Sequence, residues 1–350
     1  MIRVGIIGFA HGHAYSIAGE WLKDPEKYDV LPVSYWEPAD DRAAEVGRQL
    51  PALKRAESLE ALLSGDIKAV LITCETAFHA DMAEKAARAG KDIILYKPMA
   101  LTLKDADRIV EAVEKYGVRF SMGWQMRCDK QNIRMREICK SGELGKVYMF
   151  RRRHSLGIHK WVGFENTWHD DPKLNRDIFA DDSSHPVNLM QWIFGMPETV
   201  MCEMSTMDNP KAPNDNCAAL FKYANGMIAE ITTCFTASAA DPTTEIYLSD
   251  GAVIQRYGDG PGTKLPKTEP GLKWYKEGDK DWTYSDIPSP ANQGVRLADQ
   301  AGPLAAFLHG GEPVCTAREG RDTLRLVLSC YLSAREGRRV SVWDERVYDI

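Results

Sequence analysis

"RVGIIGFAHGH" (residues 3–13) decides how the rest of the chain is read. Residues 3–9 are a continuous apolar run, as in a strand covered on both faces, and the run contains a glycine at its end. Doubly wound parallel sheets bind dinucleotides at such a place, because the turn brings backbone and a helix N-terminus to a pyrophosphate. The usual G-x-G-x-x-G pattern is imperfect, with Gly8, then Ala10, then His13. Gly8 can make the tight turn, Ala10 adds a methyl group where backbone should approach, and His13 is bulky for close helix packing. Gly12 partly compensates by freeing the turn. Gly8, Phe9, Ala10, His11, Gly12 and His13 are therefore the first cofactor-contacting candidates. His11 and His13 either line a nicotinamide pocket or are solvated residues at a helix start.

Outward from this stretch, strand-like and helix-like segments alternate through the first third. Strands are expected over 29–36, 67–73, 92–96 and 118–124, and helices over 13–23, 40–50, 79–90 and 103–117. Repeated units of this length imply a parallel sheet with right-handed crossovers, a doubly wound Rossmann domain over 1–123. The pattern then changes. A helix over 132–142 is followed by short strands over 146–153, 199–206, 217–224, 226–235, 243–249 and 252–257, with "YANGM" (223–227) as an Asn-Gly hairpin signal. Residues 124–350 read as an α+β domain with a largely antiparallel open sheet. Residues 258–298, rich in Gly, Pro, Lys and Asp, read as long loops and edge strands, and 320–337 as a final helix.

Composition narrows the function. A length of 350 residues suits two domains, and 44% apolar with 27% charged residues is ordinary for a globular chain. A net charge of −6 argues against a nucleic-acid partner, and "RRRH" (151–154) reads as a strand emerging into solvent. No apolar run reaches the roughly 20 residues that span a bilayer, and no targeting leader precedes the first strand. Eight cysteines are scattered without a C-x-x-C pair, mostly inside apolar segments, as reduced thiols are. A cytoplasmic protein without membrane contact or structural metal is expected. His154, His159 and His169 lie near acids, but at spacings that match no standard ligand set.

Glu37, at the end of the second strand, carries the cofactor preference. A carboxylate there accepts the adenosine ribose hydroxyls and repels a 2′-phosphate, which favours NAD over NADP, with Arg42 near enough to soften the repulsion. The other reading is that Glu37-Pro38 only starts a turn. Thr73 and Cys74, and then Tyr96 and Lys97, end later strands of the same sheet and join the cofactor set.

Nearly the whole chain resembles the glucose–fructose oxidoreductase / inositol dehydrogenase / MocA-like (Gfo/Idh/MocA) oxidoreductases. The likeness rests on the glycine turn, "VLITCETAFHADMAEKAARAGKDIILYKPMALTLKDA" (70–106), "GWQMRCD" (123–129), "GELGKVYMFR" (142–151), "DDSSHPVNLMQWIFGMPETV" (181–200) and "SAREGRRV" (333–340). Its most specific parts are Lys-Pro after a strand and Asp-x-x-x-His before an apolar helix. Three positions depart from the pattern: Tyr96 stands where Glu usually precedes Lys-Pro, Asn188 where an aspartate is common, and Asn175-Arg176-Asp177 where three glycines are common.

The resemblance implies that Lys97, Asp181 and His185 form the catalytic group, with His79 and Arg127 near cofactor or substrate. Oxidising a secondary alcohol requires hydride transfer to a nicotinamide and removal of the hydroxyl proton. Lys97 at a strand end, partly desolvated, suits proton exchange, and Pro98 fixes the backbone beyond it. His185 is placed at a helix N-terminus, where the dipole favours neutral imidazole, with Asp181 to orient it. Ser183, Ser184 and Asp181 also read as helix caps. Trp161, Trp168, His169 and Asn188 complete the substrate set, although tryptophans here equally suit core or interface packing. The expected activity is NAD-dependent hydride transfer on a sugar, sugar acid or inositol, by a homo-dimer or homo-tetramer. Two rivals are a hydrolase or lyase that retains NAD for transient oxidation, and a non-catalytic sugar or nucleotide sensor.

Overall fold

The computed structural model describes residues 1–256, 270–288 and 293–350. These form two compact units, Met1–Cys128 with Gly294–Leu324, and Asp129–Gln293 with Arg325–Ile350. The division is thus discontinuous, in place of a single boundary at 123/124. The reason is apolar: the helix Ala301–Leu308 contributes Leu304 and Phe307 to the core of the first unit. The Trp21 indole N–H also donates to the Ala301 carbonyl at 2.9 Å.

In the first unit, strands β1 (Ile2–Ile7), β2 (Val30–Trp36), β3 (Lys54–Arg55), β4 (Ala69–Ile72), β5 (Asp92–Tyr96) and β6 (Phe120–Gly123) form one sheet in the order β3-β2-β1-β4-β5-β6. Every pair is parallel. β4 and β5 are buried along their whole length, which is why they are unbroken apolar runs. The helices between them carry ordinary end signals. Leu103–Tyr116 begins at Thr102, whose hydroxyl accepts the Asp105 N–H at 3.1 Å, and stops at Gly117 with φ +63°; such a cap is worth about 1 kcal/mol. Strand order reverses between β1 and β4, so the crevice for a ligand opens at their carboxyl ends.

His79 ties that edge together. Its Nδ1 lies 2.9 Å from the Pro98 carbonyl and its Nε2 3.1 Å from the Cys74 carbonyl, so one buried ring joins the segment after β4 to the segment after β5. The Lys97–Pro98 peptide, which begins that second segment, is cis.

The second unit is built on β7 (Val147–Ser155), β8 (Thr199–Ser205), β9 (Asn216–Lys222), β10 (Ile228–Cys234), β11 (Thr243–Leu248), β12 (Gly251–Arg256), β13 (Leu272–Lys276), β14 (Thr283–Tyr284) and β15 (Val340–Ser341). Their order is β14-β13-β12-β11-β7-β10-β9-β8-β15, antiparallel throughout except for the parallel β7–β10 pair. The helix Ser184–Phe194 packs on β7 and β10, with the Phe150 and Phe194 rings 5.5 Å apart. Strict alternation in β9 and β10 buries Cys217, Ala219, Phe221, Ala229 and Ile231 and turns their neighbours outward. The Asn-Gly turn forms as expected, with Gly226 at φ +88° and the Tyr223 N–H donating to Met227 O at 3.0 Å.

The expectation for 258–298 lies partly outside the described residues. Where described, β13 and β14 are edge strands and Gln293–Ala298 is a helix. "RRRH" is a correction: alternation within β7 buries Arg152 and His154 at 2% and 6% exposure, so the strand does not emerge into solvent.

Burial holds the His79 pKa down, from 6.5 to about 4. On acidification the unfolded chain therefore takes up this proton first. The stability His79 contributes is complete above pH 6.5 and is lost as pH falls toward about 4. Urea midpoints measured across that window are expected to fall more steeply for the wild type than for His79→Gln, and parallel curves would contradict the linkage.

Candidate functional site

In the first unit the crevice is built around Gly8. Its φ is +77°, and a Cβ there would stand 2.5 Å from the Cys74 Cβ, so no other residue fits. The Gly8 N–H donates to Trp36 O at 2.8 Å, the Thr73 hydroxyl donates to Gly8 O at 2.6 Å, and the His11 N–H donates to Thr73 O at 2.9 Å. Thr73 and Cys74 thus hold the turn, and burial pushes the Cys74 thiol pKa up. The helix His13–Lys23 follows, with Gly12 as its first flanking residue, no side-chain cap and no acid in the first turn. That is the electrostatic setting a pyrophosphate needs. Gly12 is helical at φ −57° with open space around it, so its conformational freedom is not used.

Three members of the proposed cofactor set have different work. The Phe9 side chain is core, with its ring edge-on to Tyr35 at 5.5 Å. Tyr96 is fully buried, and its hydroxyl donates to Gln300 Oε1 at 2.7 Å, so the phenol is committed and its pKa is raised by burial. His79 is the buried tie already described. The His11 and His13 rings are 4.3 Å apart and 4.9 and 5.1 Å from the Tyr96 ring. Lys97 follows β5 with 3% exposure, the desolvated setting expected of it.

Glu37 is 1% exposed and does more than start a turn. Its Oε2 accepts the Phe9 N–H at 2.8 Å, while Oε1 accepts the Ala39 N–H at 2.9 Å and Arg42 Nη2 at 3.0 Å. Arg42 also pairs with Glu75 at 2.7 Å. The carboxylate therefore braces the glycine turn, and Arg42 is shared between two acids, Glu37 and Glu75. Arg127 is held within this unit. Its guanidinium, 2% exposed, donates to Val314 O at 3.1 Å and pairs with Glu319 at 3.0 Å, a packing role for the segment that returns to this unit.

In the second unit, Asp181 and His185 lie 3% exposed on one helical stretch. The turn Phe179–Ser183 is a π-helix that runs directly into Ser184–Phe194. His185 is therefore not at a helix start, and the dipole argument for it fails. Ser183 and Ser184 are not caps either: the Ser184 hydroxyl donates back to Asp181 O at 2.6 Å, and Asp177 accepts the Ala180 N–H at 2.9 Å in their place. Arg176, where glycine is common in the resemblance, takes φ +73°.

At this turn two neighbouring carboxylates meet different rings. Asp181 Oδ2 lies 2.6 Å from His169 Nδ1 and accepts Asn175 Nδ2 at 3.2 Å. Asp182, which the sequence did not single out, has its Oδ1 3.9 Å from His185 Nε2 and its Oδ2 3.0 Å from His154 Nε2. The Trp168 and His169 rings are 4.0 Å apart, Trp161 is 57% exposed, and Asn188 is fully buried. Among the described residues no three His, Cys, Asp or Glu side chains group as a metal site, and no helix is long and apolar enough to cross a membrane.

Comparison with known proteins agrees with this geometry. Residues 2–124 match the family model described as "Oxidoreductase family, NAD-binding Rossmann fold", and residues 133–254 match the "GFO/IDH/MocA C-terminal domain". The 1,5-anhydro-D-fructose reductase of Ensifer adhaerens is 25% identical over 98% of this chain and 99% of its own. A myo-inositol 2-dehydrogenase of Thermotoga maritima is 28% identical over 72% and 75%. A levoglucosan dehydrogenase structure with NADH and L-sorbose superposes with TM-score 0.81 at 19% identity, over 98% and 99% of the two chains, and shows the shared fold. The glycine turn, the uncapped helix start after it and the match across both halves lead to one conclusion: the chain belongs to the Gfo/Idh/MocA oxidoreductase family and carries its NAD-binding domain.

Proposed function

We propose that this oxidoreductase transfers hydride between a secondary alcohol of a sugar, sugar acid or inositol and NAD, with Lys97, Asp181 and His185 as its catalytic residues. The observation that carries the reading is the conjunction, on one sheet edge, of a turn shaped for a pyrophosphate with a buried lysine. Relatives named as reductases and dehydrogenases of sugars and inositol support the substrate class. NAD supplies the hydride acceptor. The turn from Gly8 through Ala10, His11 and Gly12 to His13 would hold its pyrophosphate at the helix start, and Glu37 fixes that turn. Lys97 donates a hydrogen bond to the reacting oxygen. His185 takes the hydroxyl proton as the carbonyl forms, and Asp181 holds His169 toward the remaining hydroxyls. His169 and Trp168 are substrate-binding residues in this reading, with Trp161 and Asn188 beside them.

The outer face of the second sheet leaves Leu220, Ile228 and Tyr247 exposed at 41%, 40% and 38%. A second copy of this chain is the occupant we infer, giving a homo-dimer or homo-tetramer. Eight free cysteines support a cytoplasmic location.

Purified protein mixed with NAD and a panel of sugars, sugar acids and inositols is expected to accumulate NADH. Bond cleavage without net NADH would point instead to retained-cofactor chemistry. Lys97→Ala and His185→Ala should still bind NAD while turnover drops by about 10²-fold or more, as for a lost acid–base group; wild-type turnover in both would end the assignment. Glu37→Ala leaves Arg42 with a single acid, so the ratio of NADP to NAD affinity should rise, and an unchanged ratio would remove Glu37 from cofactor choice. Leu220→Glu should lower the sedimenting mass to that of one chain if the exposed face is the interface.

A further inference from the structure

Behind His185 a line of buried polar side chains runs through the second unit. Asp182 Oδ1 stands 3.9 Å from His185 Nε2, and Asp182 Oδ2 stands 3.0 Å from His154 Nε2. His154 Nδ1 lies 3.2 Å from Arg152 Nη2. Arg152 Nη1 donates to Thr244 Oγ1 at 2.8 Å, Thr244 donates to Gln255 Oε1 at 3.4 Å, and Gln255 Nε2 donates to Asn132 Oδ1 at 2.8 Å. From Asn132 to His154, none of these residues is more than 6% exposed.

Chemistry fixes the protons at the working end. A guanidinium has donors only, so His154 Nδ1 must accept. The single proton of that neutral ring is then on Nε2, and it is donated to Asp182. Asp182 accepts it as a carboxylate, with the positive charge of Arg152 one ring away and its second oxygen facing His185. Asp181 Oδ2 is engaged elsewhere, by His169 at 2.6 Å and Asn175 at 3.2 Å.

We propose that Asp182, kept ionised by Arg152 through His154, is the positioning residue that orients His185 and stabilises its protonated form. This rests on His185 being the proton acceptor of the proposed reaction. Asp182 faces both His154 and His185, and His154 faces Asp182, Arg152 and, at 6.5 Å, the uncharged Phe235 ring. A carboxylate this near an imidazole favours imidazolium, so removing its charge should lower the pH at which His185 titrates.

The test uses the full chain with isotope-labelled histidine, read by NMR, alongside the pH profile of kcat/KM. In the wild type, His154 should carry its proton on Nε2. In Asp182→Asn the His185 titration should move down by about one to three pH units, and the acid limb of kcat/KM should move the same way. Asp181→Asn should act mainly on His169. His154→Gln, whose amide can both accept from Arg152 and donate to Asp182, should keep the wild-type profile, whereas His154→Leu should not; this pair serves if Asp182→Asn fails to fold. An unmoved His185 titration in Asp182→Asn, or a His154 proton on Nδ1, overturns the proposal. A shifted titration together with wild-type turnover in His185→Ala would leave the relay standing and remove only the catalytic role of His185.

Discussion

The first unit depends on one close approach. β1 and β4 are neighbours across the point where strand order reverses, and Gly8 passes the Cys74 backbone at a distance that leaves no room for a Cβ. From that contact the other links follow around the carboxyl edge of the sheet. Thr73 holds the Gly8 carbonyl, Glu37 holds the Phe9 N–H, and Arg42 joins Glu37 to Glu75. His79 then reaches from Cys74 to Pro98. A side chain at position 8 would open the first link, and the displacement would pass along the rest to the backbone that presents Lys97. The glycine therefore matters for the placement of Lys97 as well as for the turn itself.

Five of the six strands of this sheet were legible in the sequence because burial demands apolar runs, and the longer helices because one-sided burial demands a stripe; the two-residue β3, with both residues exposed, and the short helix Leu59–Ser64 were not. The second sheet was legible for a related reason: with one face covered, alternation of period two survives in β9 and β10. What sequence patterns cannot carry is the partner of a polar side chain. Glu37, Tyr96 and Arg127 each sit at a position where a ligand contact was expected. Each also bonds a group distant in the chain: Phe9 N–H, Gln300 and Glu319. The return of residues 294–324 to the first unit was hidden for the same reason, since an apolar octapeptide containing proline has no period that names its destination.

The candidate site of the second unit was legible by residue type and misread by geometry. Placing His185 at a helix N-terminus takes the helix to begin at the proline that follows it. The π turn at Phe179–Ser183 extends the helix in front of that point, and with it the helix-start argument fails. Irregular turns of this kind interrupt helices at functional sites often enough that the proline rule fails where it is most wanted. The basic run at 151–154 was misread for the opposite reason. Four polar residues in sequence look solvated, yet a strand sends alternate members inward, and here the inward pair is Arg152 and His154.

Burying a guanidinium costs several kcal/mol unless its charge is balanced and its hydrogens are used. Arg152 is balanced at one remove, through a neutral ring, by Asp182. That arrangement differs from a direct ion pair in one respect that matters for proton transfer. A carboxylate bonded directly to a guanidinium has its charge spent on that partner. One that accepts from a neutral imidazole keeps most of its charge for whatever faces its other oxygen, and here that is His185 at 3.9 Å. The intervening His154 also fixes polarity: because Arg152 can only donate, every proton along this part of the line points toward Asp182. The carboxylate is thereby held ready to favour a cation on its far side without taking the proton itself, as an assisting group beside a base must do.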